Sequence, residues 1–210
     1  MKTYYSDLTV IVPTLNEKGN IGRVINALIK LYPGIHIIVA DDGSDDGTIE
    51  EVASFRSKNV VLLNRKNKSI HGLTASVVDA ATGVNTKYTV VMDGDMQHPP
   101  ELVRDLYIKL HSYDMVIGVR ISVKNWGLHR VILSKGMAML SYIVFAARRK
   151  PTTRDMMSGF FGIRTNVIKR IIKNRKSGFV MSGYKVMLDI LRMAPPNLSL
   201  CEVEYSTFHT

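Results

Sequence analysis

Cysteine is nearly absent from this chain of 210 residues, which contains only Cys201. One thiol cannot form an internal disulfide or a cluster of thiolate ligands around a metal. This composition favours a protein of a reducing compartment such as the cytosol, where disulfides are rare. A secretory signal is not predicted either, because Lys2 is followed by polar residues and then by the first strand.

Long apolar runs are also lacking. No stretch of about twenty apolar residues is free of charge, so the sequence predicts no transmembrane helix. The nearest candidate is residues 131–147, which Lys135 interrupts and which Arg130 and the basic residues 148–150 bracket. A core helix explains the apolar part alone, whereas an amphipathic helix lying in the lipid interface also explains the basic bracket. We therefore predict an interfacial helix in this segment.

Acidic residues are outnumbered, with 18 Asp and Glu against 28 Lys and Arg, and the formal net charge is +10. Such an excess is explained by a basic, soluble surface, or more specifically by a polyanionic partner or an anionic membrane face. A nucleic-acid partner is disfavoured, because the N-terminus carries no basic run and paired acidic turns would repel phosphates without a metal. A dinucleotide-dependent oxidoreductase is disfavoured as well, because no Gly-x-Gly-x-x-Gly follows the first strand.

The apolar runs that are present alternate with helical patterns. The predicted strands are residues 8–12, 36–40, 60–63, 88–92, 115–119, 158–163 and 200–205, and the predicted helices are residues 21–31, 48–57, 73–81, 99–110, 165–173 and 183–193. The second helix is expected to begin with a capping box of Thr48 and Glu51. Repeated strand–helix units predict an α/β domain with an open, mostly parallel sheet flanked by helices.

Asp93, Asp95 and Gln97 directly follow the fourth predicted strand and form a compact set of oxygen donors. In open α/β sheets, ligands bind outside the carboxyl ends of the strands. Carboxylate and amide oxygens suit Mg²⁺ or Mn²⁺ better than zinc, and a cation there would clamp a diphosphate. A simple helix entry before Pro99 is the less favoured interpretation, because a second acidic turn, residues 41–44, follows the second strand.

Three segments resemble the signature segments of family-2 glycosyltransferases, namely residues 10–17 (VIVPTLNE), 41–48 (DDGSDDGT) and 92–100 (MDGDMQHPP). More narrowly, they resemble polyprenyl-phosphate sugar synthases of the dolichol-phosphate mannosyltransferase type, for which the Gln-His-Pro-Pro continuation is the most specific part. Further matches follow in the expected order at Arg120, Arg130, residues 134–136, Asp155, residues 158–161 and residues 183–185. The resemblance covers nearly the whole chain.

The resemblance implies a GT-A, Rossmann-like fold and transfer of mannose from GDP-mannose to dolichyl phosphate. A UDP-glucose-dependent polyprenyl-phosphate glucosyltransferase is the nearest alternative, because the motifs clamp a diphosphate and do not name the base. A non-catalytic nucleotide-binding protein of the membrane surface is an alternative of another class. A nucleotide-sugar donor, a lipid-phosphate acceptor and the cytoplasmic face of a membrane are the expected partners and location.

The expected donor site comprises Pro13, Leu15, Glu17, Asp42, Asp93, Gly94, Asp95 and Gln97, with Asp93, Asp95 and Gln97 as the metal ligands. Pro13, Leu15 and Glu17 would line the nucleoside pocket, although Glu17 could equally favour the N-terminus of the next helix. Asp42 would accept hydrogen bonds from a nucleobase, and the resemblance implies the same role. Its alternative role is an Asx turn that supports Gly43, a role that fits Asp41 better. The family typically has alanine where this chain has Gly94.

Arg120, Arg130, Ser134 and Lys135 are the expected acceptor-phosphate site. A lipid phosphate is already largely ionised near neutral pH, so it needs positioning cations rather than a general base. Arginine suits bidentate contact with phosphate. Attack opposite the departing nucleotide would invert the anomeric configuration and give a β-linked product. We therefore expect Asp95, Arg120 and Arg130 to be the catalytic residues.

Two histidines and an aspartate flank these motifs. His98 is predicted to orient the loop of Gln97 rather than to bind the metal, and His71 is expected to be an ordinary surface residue. Asp155 either binds the sugar or orders the loop around Ser158.

The predicted organisation is a single catalytic domain with two parts. Residues 1–120 would bind the nucleotide sugar and the metal, and residues 121–210 would bind the acceptor and carry amphipathic interfacial helices. The family continues past the final strand with a basic segment and further helices, so the resemblance implies either a chain truncated at its C-terminus or a natural short form.

Overall fold

The computed structural model describes residues 4–122 and 150–206. The strands are β1 Leu8–Thr14, β2 His36–Asp41, β3 Val60–Asn64, β4 Tyr88–Val91, β5 Met115–Ser122, β6 Phe161–Arg164 and β7 Leu200–Ser206. The helices are α1 Asn20–Leu31, α2 Thr48–Ala53, α3 Leu73–Gly83, α4 Val103–Leu110, α5 Thr165–Arg175 and α6 Val186–Met193, with short 3₁₀ turns at Pro100–Leu102 and Lys176–Gly178.

All seven strands form one sheet in the order β3-β2-β1-β4-β6-β5-β7. The strands β1 to β4 pair in parallel, and β5 pairs in parallel with β7. Among these strands only β6 is antiparallel to its neighbours. Val91, at the end of β4, pairs with Phe161, at the start of β6. The predicted open, mostly parallel sheet flanked by helices is confirmed. Its carboxyl edge therefore collects the loops after β1, β2, β4 and β5.

Each face of the sheet is covered by helices. The side chains of Val10 and Val12 pack with α1 and α4, whereas Ile11 packs with α3, α5 and α6 on the other face. This alternation follows from the period of two along a strand. All seven residues of β1 are buried, as expected for a central parallel strand covered on both sides. The two cores hold the strand ends, and hence their loops, in fixed positions.

The predicted capping box is wrong. Helix α2 begins at Thr48 behind the N-cap residue Gly47, which lies in the left-handed region at φ 99°, and the helix ends at Ala53. The Thr48 hydroxyl donates a hydrogen bond to the Asp46 carboxylate and accepts one from the backbone N–H of Glu17. It does not cap its own helix. Tertiary contacts with the loop after β1 therefore outweigh the local capping pattern. The last predicted helix also begins later, at Val186.

The predicted interfacial helix, residues 131–147, lies outside the described residues, as do Arg130, Ser134 and Lys135. Within the part of the chain that the structure describes, no helix has the length and apolar character needed to cross a bilayer.

Candidate active site

The loops after β1 and β2 interlock at the carboxyl edge. The backbone N–H of Asn16 donates to the Ser44 hydroxyl at 2.8 Å, and that of Glu17 donates to Thr48 Oγ1 at 2.9 Å. In return, the N–H of Asp45 donates to Asn16 Oδ1 at 3.1 Å. Asn16 has φ 59°, a left-handed conformation that asparagine tolerates. These bonds fix the backbone on either side of Glu17.

Asp41 has a structural role. Its side chain is fully buried, and Oδ1 accepts the backbone N–H groups of Gly43 at 3.0 Å and Ser44 at 2.8 Å. Oδ2 accepts the hydroxyls of Ser44 and Thr14. This is the Asx-type turn that the sequence favoured for Asp41 over Asp42.

Asp42 is held at the wall of a cavity by residues that the sequence analysis missed. Its carboxylate pairs with the guanidinium of Arg65, accepts the Gly72 N–H at 2.6 Å, and lies 3.2 Å from Nδ1 of His71. Arg65 is 2% exposed and also bonds Asp79 at 3.1 Å. A buried charge needs such partners. The side chain of His71 is half exposed, as expected of a surface residue, and its Nδ1 also lies 3.0 Å from the backbone carbonyl of Asp42.

Arg65 was recognisable only in part from the sequence. It directly follows β3, and a basic residue in that position is expected to lie at the carboxyl edge of the sheet. Its partners could not be predicted, because they come from three separate segments. They are Asp42 after β2, the carbonyl of Ile70, and Ser76 and Asp79 on α3.

The loop after β4 carries the acidic pair. Burial raises the pKa of the Asp93 carboxyl to about 6, the negative charge of Asp95 adds to this rise, and the positive charge of Arg120 opposes it. Asp95 Oδ1 accepts the backbone N–H of Gln97 at 2.9 Å, and Met96 between them has φ 63°. Strained backbone of this kind clusters at functional sites.

His98 holds this loop in place through a buried hydrogen bond. It is 2% exposed, and its Nδ1 accepts the backbone N–H of Asp93 at 3.0 Å. The imidazole stacks on Phe160 with a centroid distance of 5.1 Å and an interplanar angle of 18°. Burial lowers the pKa of His98 to about 4, which agrees with a neutral ring whose Nδ1 is an acceptor. The predicted loop-orienting role of His98 thus has a specific geometry.

Glycines let the backbone approach the acidic pair. A Cβ at Gly159 would lie 2.9 Å from Oδ2 of Asp93, and a Cβ at Gly94 would lie 3.0 Å from Cγ2 of Thr14. The side chain of Asp155 accepts the Met157 N–H at 3.1 Å, a contact that orders the loop before Gly159. This is one of the two roles that the sequence left open for Asp155.

Arg120 lies near the end of β5, opposite Tyr205 of β7 in the register. A bulge follows it between Arg120 and Ser122. Its positive charge opposes the rise in the pKa of Asp93, so Arg120 is near enough to the acidic pair to act on it electrostatically. The structure therefore brings Arg120 to the predicted donor site, whereas the other acceptor candidates lie outside the described residues.

A cavity of about 280 Å³ lies between the loops after β1, β2 and β4 and the start of α3. Its lining residues are Pro13, Thr14, Leu15, Glu17, Asp42, Gly72, Leu73, Ser76, Asp93, Gly94 and Asp95. Seven of the eight predicted donor residues line it. Gln97 does not line it; the residue is exposed, and its backbone N–H donates to Asp95 Oδ1.

The acidic pair fits a divalent cation. Asp93 and Asp95 are neighbouring carboxylates, and the pKa of Asp93 is raised by burial and by the charge of Asp95. Such a pair is stabilised when a cation lies between the two groups. Across residues 4–122 and 150–206, no group of three His, Cys, Asp or Glu side chains has metal-binding geometry. Asp93 and Asp95 would supply two carboxylates, and further oxygens would come from Gln97, from water or from a diphosphate, as is usual for Mg²⁺.

This fold is shared with nucleotide-sugar transferases of known structure. Glucosyl-3-phosphoglycerate synthase from Mycobacterium tuberculosis superimposes with a TM-score of 0.69 at 18% identity, covering 97% of this chain and 73% of that protein. Another structure of that enzyme, with Mn²⁺, UDP-glucose and phosphoglyceric acid, gives 0.67 at 18% identity, over 94% of this chain and 69% of that one. At such identities the likeness establishes the fold alone.

Sequence similarity defines the family. Residues 9–172 match Glycosyl transferase family 2, and this chain belongs to that family. The dolichol-phosphate mannosyltransferase of Pyrococcus furiosus is 32% identical over 191 residues, which cover 88% of this chain and 52% of that protein. The enzyme of the same name from Saccharomyces cerevisiae is 30% identical over 217 residues, covering 95% of this chain and 77% of the relative. The chain thus spans about half the length of the archaeal relative.

Proposed function

We propose that this chain transfers mannose from GDP-mannose to a dolichyl-type polyprenyl phosphate with inversion at the anomeric carbon. The names of the two relatives above support this acceptor and this sugar. A third relative, the polyprenol monophosphomannose synthase of Mycolicibacterium smegmatis, supports them as well. It is 30% identical over 206 residues, which cover 92% of this chain and 74% of that protein. The observation that carries the proposal is the cavity, which is lined both by the acidic pair and by the partly buried Asp42.

The donor would lie along this cavity with its base at Asp42 and its diphosphate at Asp93 and Asp95. Each oxygen of a carboxylate has two acceptor lone pairs, so Asp42 can accept a nucleobase N–H while it is held by Arg65 and Gly72. A Mg²⁺ or Mn²⁺ ion on Asp93 and Asp95, with Gln97 from the same loop, would neutralise the charge of the departing diphosphate. Glu17 lines the same cavity and would contact the ribose.

The acceptor phosphate would approach from the side of Arg120. Its oxygen attacks the anomeric carbon, the bond from that carbon to the diphosphate breaks, and the diphosphate leaves with the electron pair. An ionised phosphate has no proton to lose, so the step needs orientation by Arg120, together with Arg130, Ser134 and Lys135, rather than a base. Attack opposite the leaving group makes the product β-linked.

We further propose that residues 1–120 bind the donor and that residues 121–210 bind the acceptor, at the cytoplasmic face of a membrane. The donor cavity is lined entirely by residues from the first part. The excess positive charge of +10 suits a surface that carries anionic lipids.

UDP-glucose is the second candidate donor, because a structural neighbour was solved with Mn²⁺ and UDP-glucose. Thermal-shift measurements with GDP, UDP, GDP-mannose and UDP-glucose, each with and without Mn²⁺, separate the candidates, since a ligand of the native state raises the melting temperature. Metal-dependent stabilisation by the guanosine ligands alone selects mannose transfer, and stabilisation by the uridine ligands alone selects the alternative. Indifference to all four would contradict both.

Transfer itself is tested with GDP-mannose and a short polyprenyl phosphate in detergent. The expected product is the β-mannosyl phosphate, and its anomeric configuration is read by NMR. A product that retains the α configuration would contradict the single-displacement step.

A further inference from the structure

A loop from the second half of the chain holds the helix that lines the donor cavity. The carbonyl of Gly183 accepts the Thr74 N–H at 2.9 Å, and the carbonyl of Met181 accepts the Ala75 N–H at 3.1 Å. The first N–H groups of a helix have no partner within the helix, so an outside partner determines how that end is fixed. Here the 180–183 loop supplies the partner for α3, more than a hundred residues away in sequence.

The end of α3 that this loop holds belongs to the donor cavity. Gly72, Leu73 and Ser76 line the cavity, and the Gly72 N–H donates to the carboxylate of Asp42 at 2.6 Å. Gly72 is also packed tightly on the loop, because a Cβ there would lie 2.8 Å from the Met181 carbonyl oxygen. A displacement of the 180–183 loop would therefore move the group that holds Asp42.

One buried carboxylate anchors the loop. Asp189, on the first turn of α6, is 6% exposed, and its Oδ2 accepts the Val180 N–H at 2.8 Å. Its Oδ1 accepts a hydrogen bond from Arg192 at 3.1 Å. Phe179, the residue before Val180 in the chain, is buried in the core. By contrast, Val180 itself is exposed at 55%, so the Asp189 bond is the polar anchor at the start of the loop, beside the packing of Phe179 and Met181 on the core.

We propose that Asp189 is a positioning residue for the nucleotide subsite, acting through the 180–183 loop, the N-terminus of α3 and Asp42. The inference rests on the proposed function, because it takes the cavity to be the donor site. Asp189 touches neither the cavity nor the acidic pair, so it would affect the binding of the nucleoside end and leave the orientation of the acceptor phosphate unchanged. Nucleotide affinity would thus depend on the half of the chain assigned to the acceptor.

The test uses Asp189→Ala, with nucleotide affinity and hydrogen exchange as readouts. Loss of a hydrogen bond to a charged group is expected to weaken GDP or UDP binding in the presence of Mn²⁺ about tenfold. The Michaelis constant for the nucleotide sugar should rise by a similar factor, while that for the acceptor phosphate stays the same. Exchange of the Thr74 and Ala75 amides should become faster. Asp189→Asn should restore most of the affinity, because an amide oxygen can still accept the Val180 N–H.

A matched control is Asp114→Ala. The Asp114 carboxylate also anchors backbone, since it accepts the Ser199 N–H at 3.1 Å, but it lies at the amino end of β5, away from the cavity. This variant should lower stability without changing nucleotide affinity. Should Asp189→Ala fail to fold, Asp189→Ser keeps a polar group that is too short to reach Val180, and the same effect on affinity is expected.

The outcomes separate the two proposals. A wild-type protein that binds none of the nucleotides would contradict the proposed function. Nucleotide binding that Asp189→Ala leaves unchanged, or weakens no more than Asp114→Ala does, would overturn the positioning role alone. Unchanged exchange at Thr74 and Ala75 would overturn it as well.

Discussion

Acidification is expected to destabilise this fold through His98. Its pKa is lowered by burial to about 4, whereas the ring in the unfolded chain has its usual value of about 6.5. Between these two values the unfolded state binds more protons than the folded state, so the free energy of unfolding falls as the pH falls. A difference of about 2.5 pKa units corresponds to about 3 kcal/mol, most of it lost by about pH 4.5.

The geometry explains where this free energy resides. A protonated imidazole carries a hydrogen on both nitrogens, so Nδ1 could no longer accept the Asp93 N–H, and the positive ring would remain buried against Phe160. The nearby carboxyl of Asp93 acts in the opposite sense. Because its pKa in the folded protein is raised to about 6, its contribution to stability improves as the pH falls through that value.

A variant comparison separates the two effects. Urea unfolding of metal-free wild type and of His98→Asn is measured at about pH 7 and about pH 4.5. Asparagine can accept the Asp93 N–H but does not titrate, so the wild type should lose about 2 to 3 kcal/mol more than the variant on acidification. NMR titration of the ring checks the pKa directly. Equal losses in the two proteins, or a ring that titrates near pH 6.5, would refute the reasoning.

Three further changes test the site. Asp95→Ala should abolish the Mn²⁺-dependent rise in melting temperature with nucleotide, because one of the two carboxylates is lost; a rise of unchanged size would show that the metal lies elsewhere. Arg130→Ala should leave nucleotide affinity unchanged and lower the transfer rate at least about tenfold, and a loss confined to nucleotide affinity would refute the acceptor assignment. Gly159→Ala would place a methyl group 2.9 Å from Oδ2 of Asp93 and should weaken Mn²⁺ binding measured by calorimetry, whereas Gly83→Ala, with open space around its Cβ, serves as its control.

Local pattern was sufficient for most of the elements. Apolar runs of Val and Ile predicted the strands to within a few residues, because a buried parallel strand must be apolar on both faces. It was insufficient at Thr48, where a capping box was expected. There the hydroxyl found a better partner in the Glu17 backbone of a distant loop, and a single-sequence pattern contains no information about such a partner.

The same division holds within the candidate site. Asp42, Asp93 and Asp95 were predictable because each follows a strand, and parallel strands end at one edge. Arg65 was not predicted, because its partners Asp42 and Asp79 lie on other segments of the chain. The positioning role proposed for Asp189 depends likewise on a contact between distant segments, the 180–183 loop and α3.

The sequence alone determined the kind of sheet, the edge at which ligands are expected to bind and the acidic residues at that edge, since these depend on periodicity and on residues adjacent to strand ends. Only the tertiary structure decided how those residues are held: Asp41 inside a turn, Asp42 against Arg65 and Gly72, and His98 neutral beneath Asp93. Burial and charge pairing depend on which segments meet in space, and that is decided by the packing of the whole chain.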